Sequence, residues 1–324
     1  MTKAVRIHRT GGPEVLCFED VDVAKPGPGE VVLRQTAVGV NFIDVYHRTG
    51  LYPAPLPTAL GLEGAGTVEA VGEGVQDLRE GDRVAYANPP IGAYAERRVI
   101  PAHRLVKLPD TISDSQAAGM ILKGMTAQYL LRRTYRVQPG DTILIHAAAG
   151  GVGLLVCQWA KHLGATVIGT VGSEGKAALA KAHGCDHAIL YKEQDLVGRV
   201  RELTAGKGVT VVYDSVGRDT FDKSLDCLRP LGMMVSFGQS SGKIESFDTG
   251  LLAAKGSLFL TRPTLMTYTA NRDDMLAMAG ELFDVVGSGK VKVEVSKTYP
   301  LSQADQAHRD LESRVTTGSL VLLP

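Results

Sequence analysis

The chain has 324 residues, 44% hydrophobic and 22% charged, a globular composition long enough for two packed domains. Its 35 basic and 35 acidic side chains cancel, so no global field draws it to nucleic-acid phosphates or an anionic lipid surface. No run approaches the ~18 uninterrupted apolar residues of a membrane span, and the start Met1-Thr-Lys-Ala-Val-Arg lacks the apolar core of a signal peptide.

The first 120 or so residues read as a β-rich unit. Alternating runs at 30–38, 66–71 and 81–86 are separated by Gly and Pro turns such as Gly11-Gly-Pro, Lys25-Pro-Gly-Pro-Gly and Gly72-Glu-Gly. That pattern predicts a compact, partly open barrel. Near Ser113 the texture changes. Ser113 is placed to cap a helix, with Gln116 three residues on. Strands are predicted at 142–146, 166–171, 188–191, 209–214 and 233–237, with helices between them. The helix over 152–163 stops at Gly164, and the one over 175–183 stops at Gly184. Alternating strands and helices imply a parallel sheet covered on both faces. The 257–261 run, Ser257 to Thr261, closes that sheet as an edge strand. A helix over 271–287 and a strand over 318–323 are assigned back to the first unit. The expected division is therefore 1–120 plus 264–324 around an inserted domain at 121–263.

The most specific feature lies between the 142–146 strand and the helix after it. There Ala148, Ala149, Gly150, Gly151, Val152 and Gly153 form a small-residue turn that opens a helix. A helix start carries unpaired N–H groups and the positive end of the macrodipole, so it suits a pyrophosphate. Gly150 and Gly151 let the backbone approach the phosphates, and Gly153 lets the helix pack on the strand. Ala148 stands where the dinucleotide fingerprint has its first glycine.

With Gln158 and Lys161 at their spacings, this segment resembles the signature of the zinc-free quinone oxidoreductase/ζ-crystallin-like family of medium-chain dehydrogenases and reductases. In that signature a small residue such as Ala148 is normal. Gly11-Gly-Pro-Glu-Val-Leu, Gly39-Val-Asn-Phe-Ile-Asp, Tyr213-Asp-Ser-Val-Gly and Glu312-Ser-Arg-Val-Thr-Thr-Gly extend the resemblance to its bacterial NADPH:quinone oxidoreductases over nearly the whole chain. The fold it implies is α/β: a Rossmann doubly wound parallel sheet domain inserted in a β-rich GroES-like barrel domain.

The residues themselves point to the phosphorylated dinucleotide. An NAD enzyme carries an acidic residue at the end of the second strand. Here that strand ends in Val171-Gly172, without a carboxylate, and is followed by Ser173 and Lys176, a hydroxyl and a cation for a 2′-phosphate. Glu174 stands between them. The resemblance adds Tyr191 beside the adenosine and Arg314 reaching the 2′-phosphate. It also places Asn41, Phe42, Ile43, Asp44, Tyr46, Lys123, Thr126 and Tyr129 at the nicotinamide end, in an interdomain cleft. Asp214, Ser215, Val216, Gly217, Phe237, Gly238, Ser240 and Ser241 join the cofactor contacts on the same ground.

Zinc-dependent relatives hold their metal with Cys and His. Asn41 and Leu62 stand at two of those positions, and the four-cysteine lobe is absent. No metal is expected, and the cluster His183-Gly-Cys-Asp-His187 reads as a helix-to-strand turn. A quinone needs no Lewis acid, because its hydride adduct is a stabilised phenolate-type anion. The expected activity is NADPH-dependent quinone reduction, with Asn41 and Tyr46 donating hydrogen bonds to the acceptor or orienting the nicotinamide, and Tyr52 lining the acceptor pocket. An NADPH-dependent reductase of 2-alkenals and enones is the alternative within enzymes. A non-catalytic, dinucleotide-responsive RNA-binding protein is the alternative outside them, opposed by the neutral charge. The four dispersed cysteines imply a reduced, cytoplasmic protein. The family resemblance implies a homodimer joined through the Ser257–Thr261 edge.

Overall fold

Strand Glu30–Val40 organises the first unit. Val31, Leu33 and Gln35 are buried, while Arg34 between them faces solvent, the two-residue period of a strand with one buried face. It pairs antiparallel with Gly64–Val71, Arg97–Pro101 and the C-terminal strand Ser319–Leu323. The last of these sets Leu320, Val321 and Leu322 opposite Val40, Gly39 and Val38, which ties the tail to the β-rich unit. Ile7, Leu33, Tyr86, Tyr94, Ile100 and Leu320 lie in its core.

The computed structural model describes all 324 residues. Two compact units form, one of Met1–Met125, Thr269–Gly287 and Val293–Pro324, the other of Thr126–Tyr268 with Ser288–Lys292. Both main junctions lie five residues beyond the expected 120 and 263. The first falls inside helix Asp114–Tyr129, which runs through it without a stop signal. Ser113 and Gln116 exchange the reciprocal bonds of a capping box at its start, at 3.1 and 3.2 Å. Within that helix a Cβ at Gly124 would run into Leu282, so the glycine sets a close approach.

The second unit is a six-stranded parallel sheet. Its order is His187–Leu190, Thr166–Val171, Thr142–Ile145, Val209–Asp214, Leu228–Ser236, Phe259–Thr261. This is the doubly wound order of dinucleotide-binding domains, with the switch point between Thr142–Ile145 and Val209–Asp214. Leu144, Ile168, Ile189, Val212 and Met234 supply the core on one side. The fifth strand starts earlier than the expected 233, because it carries Pro230-Leu-Gly through a register shift, with Leu231 at φ +59°. The edge strand is shorter than expected, since Ser257 turns left-handed at φ +56°. No helix is long and apolar enough to cross a membrane.

Candidate active site

In the second unit the glycine turn lies where the topology puts ligands, at the carboxyl end of a strand flanking the switch point. Thr142–Ile145 ends, Ala147 adopts φ +54°, and Gly150 begins helix Gly151–His162 with no side chain capping it. The first N–H groups of that helix are therefore left for an anion. A Cβ at Gly153 would overlap the carbonyl oxygens of Ala147 and Ala148. The turn closes this tightly only around a glycine.

A buried network, not anticipated from the sequence, supports the turns beside it. Asp214 Oδ1 accepts the N–H groups of Val216 and Gly217 at 2.7 and 3.0 Å, and Oδ2 accepts the hydroxyls of Thr220 and Ser224 at 2.7 and 2.9 Å. Ser224 donates to that carboxylate, so His146 Nε2, 2.9 Å away, donates to Ser224. His146 Nδ1 is then the acceptor for Thr170, 2.9 Å away. Burial holds the His146 imidazole below its usual range, in its neutral form. The second turn is laced to the first, with Phe237 N–H on Asp214 O, Ser240 N–H on Ser215 O and Ser241 N–H on Val216 O. Gly238 is needed there, because a Cβ would overlap the Ser215 backbone. Ser215, Val216, Phe237, Gly238, Ser240 and Ser241 thus share one ledge. Thr126 and Tyr129 are buried, and Tyr129 stacks on Tyr268 with centroids 4.6 Å apart.

At the end of Thr166–Val171, Ser173 leads into helix Glu174–Ala182, and its side chain makes no capping bond to the helix. Lys176 is half-buried, and its ammonium is held below the usual range first by burial and then by the charge of Lys192. A half-buried ammonium that feels the charge of a second lysine, with no carboxylate on the strand end, suits a phosphate dianion. Lys192 escaped the sequence reading. Its signal was its place next to Tyr191, which is exposed and whose ring lies against Gly172. Glu174 points to solvent. Pyrophosphate turn, ledge and paired lysines together fit a dinucleotide phosphorylated on its ribose.

In the first unit, Asn41 begins helix Phe42–Thr49, and its N–H bonds Asp44 Oδ2 at 2.9 Å. Its side-chain Nδ2 bonds Glu63 Oε2 at 2.8 Å, and Lys123 Nζ meets the same oxygen at 2.8 Å. Glu63 Oε1 takes the Leu122 N–H at 2.7 Å. Glu63 was overlooked in sequence, although Gly61-Leu-Glu-Gly shows a lone carboxylate bracketed by glycines in an apolar run. Asp44 is fully buried. Tyr94 donates to its Oδ2 at 3.0 Å, Oδ1 has no partner, and desolvation pushes its carboxyl up to about 7. Tyr46 and Tyr52 meet edge to face at 5.2 Å, with Phe42 6.5 Å from Tyr46. Ile43 is half-buried, and Arg314 is exposed in a left-handed turn.

A resident zinc does not fit these donors. No group of three or more His, Cys, Asp or Glu side chains is placed to hold a metal ion. In the His183–His187 turn, His183 bonds Leu179 O, and Asp186 bonds Lys161 and the Val167 N–H.

Two families match the chain: the alcohol dehydrogenase GroES-like domain over residues 27–110 and the zinc-binding dehydrogenases over residues 151–282. A quinone oxidoreductase of Pseudomonas aeruginosa is 53% identical, with 100% of each chain covered. A 2-haloacrylate reductase of a Burkholderia species is 51% identical over 100% of this chain and 99% of its own. The crystal structure of the Escherichia coli quinone oxidoreductase complexed with NADPH superposes with a TM-score of 0.98 at 50% identity, covering 99% of this chain and 100% of that one.

Proposed function

The chain belongs to the zinc-independent quinone oxidoreductases of the medium-chain dehydrogenase/reductase superfamily, and on that premise we propose that it reduces quinones with NADPH. The observation that carries the cofactor half is the uncapped helix start at Gly150, together with the Lys176 and Lys192 pair after a strand that ends without a carboxylate. The reduced dinucleotide supplies a hydride when bound. Ala149, Gly150, Gly151 and Val152 receive its pyrophosphate. Ser173, Lys176 and Arg314 take the 2′-phosphate, and Gly172 and Tyr191 take the adenosine. Ser215, Val216, Phe237, Gly238, Ser240 and Ser241 form the ledge along which it lies. Asn41, Phe42, Ile43, Asp44, Tyr46, Lys123, Thr126 and Tyr129 surround the nicotinamide, with Asn41, Tyr46 and Tyr52 also meeting the acceptor. Their work is to orient the ring and exclude water around an acceptor whose product anion is delocalised.

The test is NADPH oxidation followed against 1,4-benzoquinone, with NADH as control and a chelator present. Chelator-resistant turnover that prefers NADPH is expected. Loss of activity to the chelator, or equal use of NADH, would refute the reading. A second reading has an observation of its own: the 2-haloacrylate reductase is almost as similar as the first quinone oxidoreductase. In the same assay 2-chloroacrylate and a simple enone distinguish the two, since a conjugated alkene takes hydride at carbon.

The reading extends to assembly. A second copy pairs through the edge strand Phe259–Thr261, where Phe259, Leu260 and the nearby Leu231 are exposed at 56%, 36% and 66%. Pairing would cover both the apolar faces and the unpaired backbone of the edge. Phe259→Asp is expected to halve the sedimenting mass, and an unchanged mass would count against this edge. Four free cysteines suit a reducing compartment, which supports placing the enzyme in the cytoplasm.

A further inference from the structure

Glu63 is the most heavily bonded side chain in the first unit's site, yet binding of the cofactor gives it no task. Its carboxylate is fully buried. It accepts from Leu122 N–H, Asn41 Nδ2 and Lys123 Nζ, at 2.7, 2.8 and 2.8 Å. The chain makes room for it. A Cβ at residue 39 would overlap Glu63 Oε2, so Gly39 leaves the volume the carboxylate occupies. A buried carboxylate with so many donors is a fixed anion.

Its effect on its partners follows from their hydrogen inventory. A carboxylate only accepts, so the Asn41 amide must turn its nitrogen towards it. One of that nitrogen's two hydrogens is used, leaving one N–H. An ammonium has three hydrogens, and Lys123 spends one on Glu63, leaving two. Lys123 keeps 7% of its side chain exposed while its countercharge is wholly enclosed. The pair therefore offers donors to whatever approaches, and such a surface suits an oxygen that is gaining negative charge.

We propose that Glu63 is a positioning residue that holds Lys123 and Asn41 as a donor pair for the acceptor's oxygen, with Lys123 the catalytic group that stabilises the charge arriving there. This rests on the reading that a quinone is reduced by NADPH. In the step, the C4–H bond of the dihydronicotinamide breaks and its electron pair leaves with the hydrogen as hydride. The quinone gains that hydride, and a π pair moves onto its oxygen. The nicotinamide is oxidised to its cation, the quinone becomes the hydroquinone monoanion, and a solvent proton then neutralises it. Lys123 and Asn41 hold the anionic oxygen in the interval, without needing to give up a proton themselves.

The probe is p-nitrophenol, a mimic of that oxyanion whose coloured anion is read without turnover. With NADP+ present, the wild-type protein is expected to lower the phenol's ionisation pH. Lys123→Met should abolish that shift, and Glu63→Gln should alter it, because the ammonium then loses the countercharge that holds it in place. Lys123→Met should also lose about a hundredfold in kcat with benzoquinone and change KM little. Because Glu63→Gln strands the Lys123 charge and can cost the fold, the double variant Glu63→Gln/Lys123→Met, neutral at both positions, provides the folded control and should also show no shift. A phenol that ionises alike on wild type and Lys123→Met, or a Lys123→Met enzyme that keeps its kcat, overturns the proposal and leaves the quinone reductase reading standing. A wild-type protein that binds no NADPH or turns over no quinone sinks that reading, and this one with it.

Discussion

Tyr94 gives its hydroxyl hydrogen to Asp44 Oδ2 at 3.0 Å, and that bond orders every proton in the chain behind it. With its hydrogen committed, Tyr94 Oη accepts from His308 Nε2, 2.9 Å away. His308 Nδ1 must then be a lone pair, which matches its partner, because Arg48 Nη1 at 3.0 Å can only donate. Arg48 closes the chain with two 2.8 Å bonds to Glu312. The helix that begins at Asn41 is thereby bolted to the C-terminal helix Ala304–Glu312.

Asp44 makes stability depend on pH. Desolvation is the largest cause that lifts its carboxyl from 3.8 to about 7. A raised folded value means that the folded state binds the proton more tightly. The contribution is fully present below the unfolded value of 3.8 and is lost as pH rises towards 7. The span corresponds to about 4 kcal/mol at most. Asp44→Asn, which copies the protonated form, should be more stable than wild type in urea unfolding at pH 8, and the gain should shrink towards pH 4. A constant difference across that range would disprove the assignment.

His308 acts in the opposite sense. Burial, then the Arg48 charge, holds it down at about 3, below its ordinary 6.5. Its contribution is present above 6.5 and is lost as pH falls towards 3, because the unfolded chain protonates first. His308→Gln keeps an acceptor for Arg48 and a donor for Tyr94. Its acid-unfolding midpoint should move to lower pH than that of wild type, and an unmoved midpoint would show that His308 does not carry the acid sensitivity.

Gly39→Ala should cost about 1–3 kcal/mol by forcing a Cβ against the Glu63 carboxylate and the Ala118 carbonyl. Because the displaced carboxylate orients Asn41 and Lys123, kcat should fall in protein that remains folded. Urea midpoints and steady-state rates on one preparation test both halves.

Lys176→Ala should raise KM for NADPH by about tenfold to a hundredfold, the loss of a charge-assisted bond, and leave KM for NADH nearly unchanged. Equal effects on both cofactors would remove Lys176 from the 2′-phosphate. Lys192→Ala should act in the same direction more weakly.

Much of this was legible along the chain because its causes are local. Gly164 and Gly184 stop their helices at φ +87° each, and Ser113 with Gln116 starts one. The strand–turn–helix at Ala148–Gly153 announces an anion site, since a helix start presents its N–H groups wherever the rest of the chain lies. The lack of a carboxylate after Val171 is likewise a statement about neighbours in sequence.

Other features depend on residues far apart in the chain. Glu63 joins Asn41 and Lys123 across 22 and 60 positions, and His308 meets Arg48 across 260. The glycines and apolar residues around Glu63 mark a carboxylate set to be buried, but nothing near it in sequence names the donors that make it the hub of a site. Composition and periodicity determined the two kinds of sheet, the glycine cradle and the basic residues after the second strand. Only tertiary packing decided which carboxylate would be a satisfied anion and which a buried acid, because Glu63 and Asp44 differ in the donors that folding brings to them, not in their side-chain chemistry.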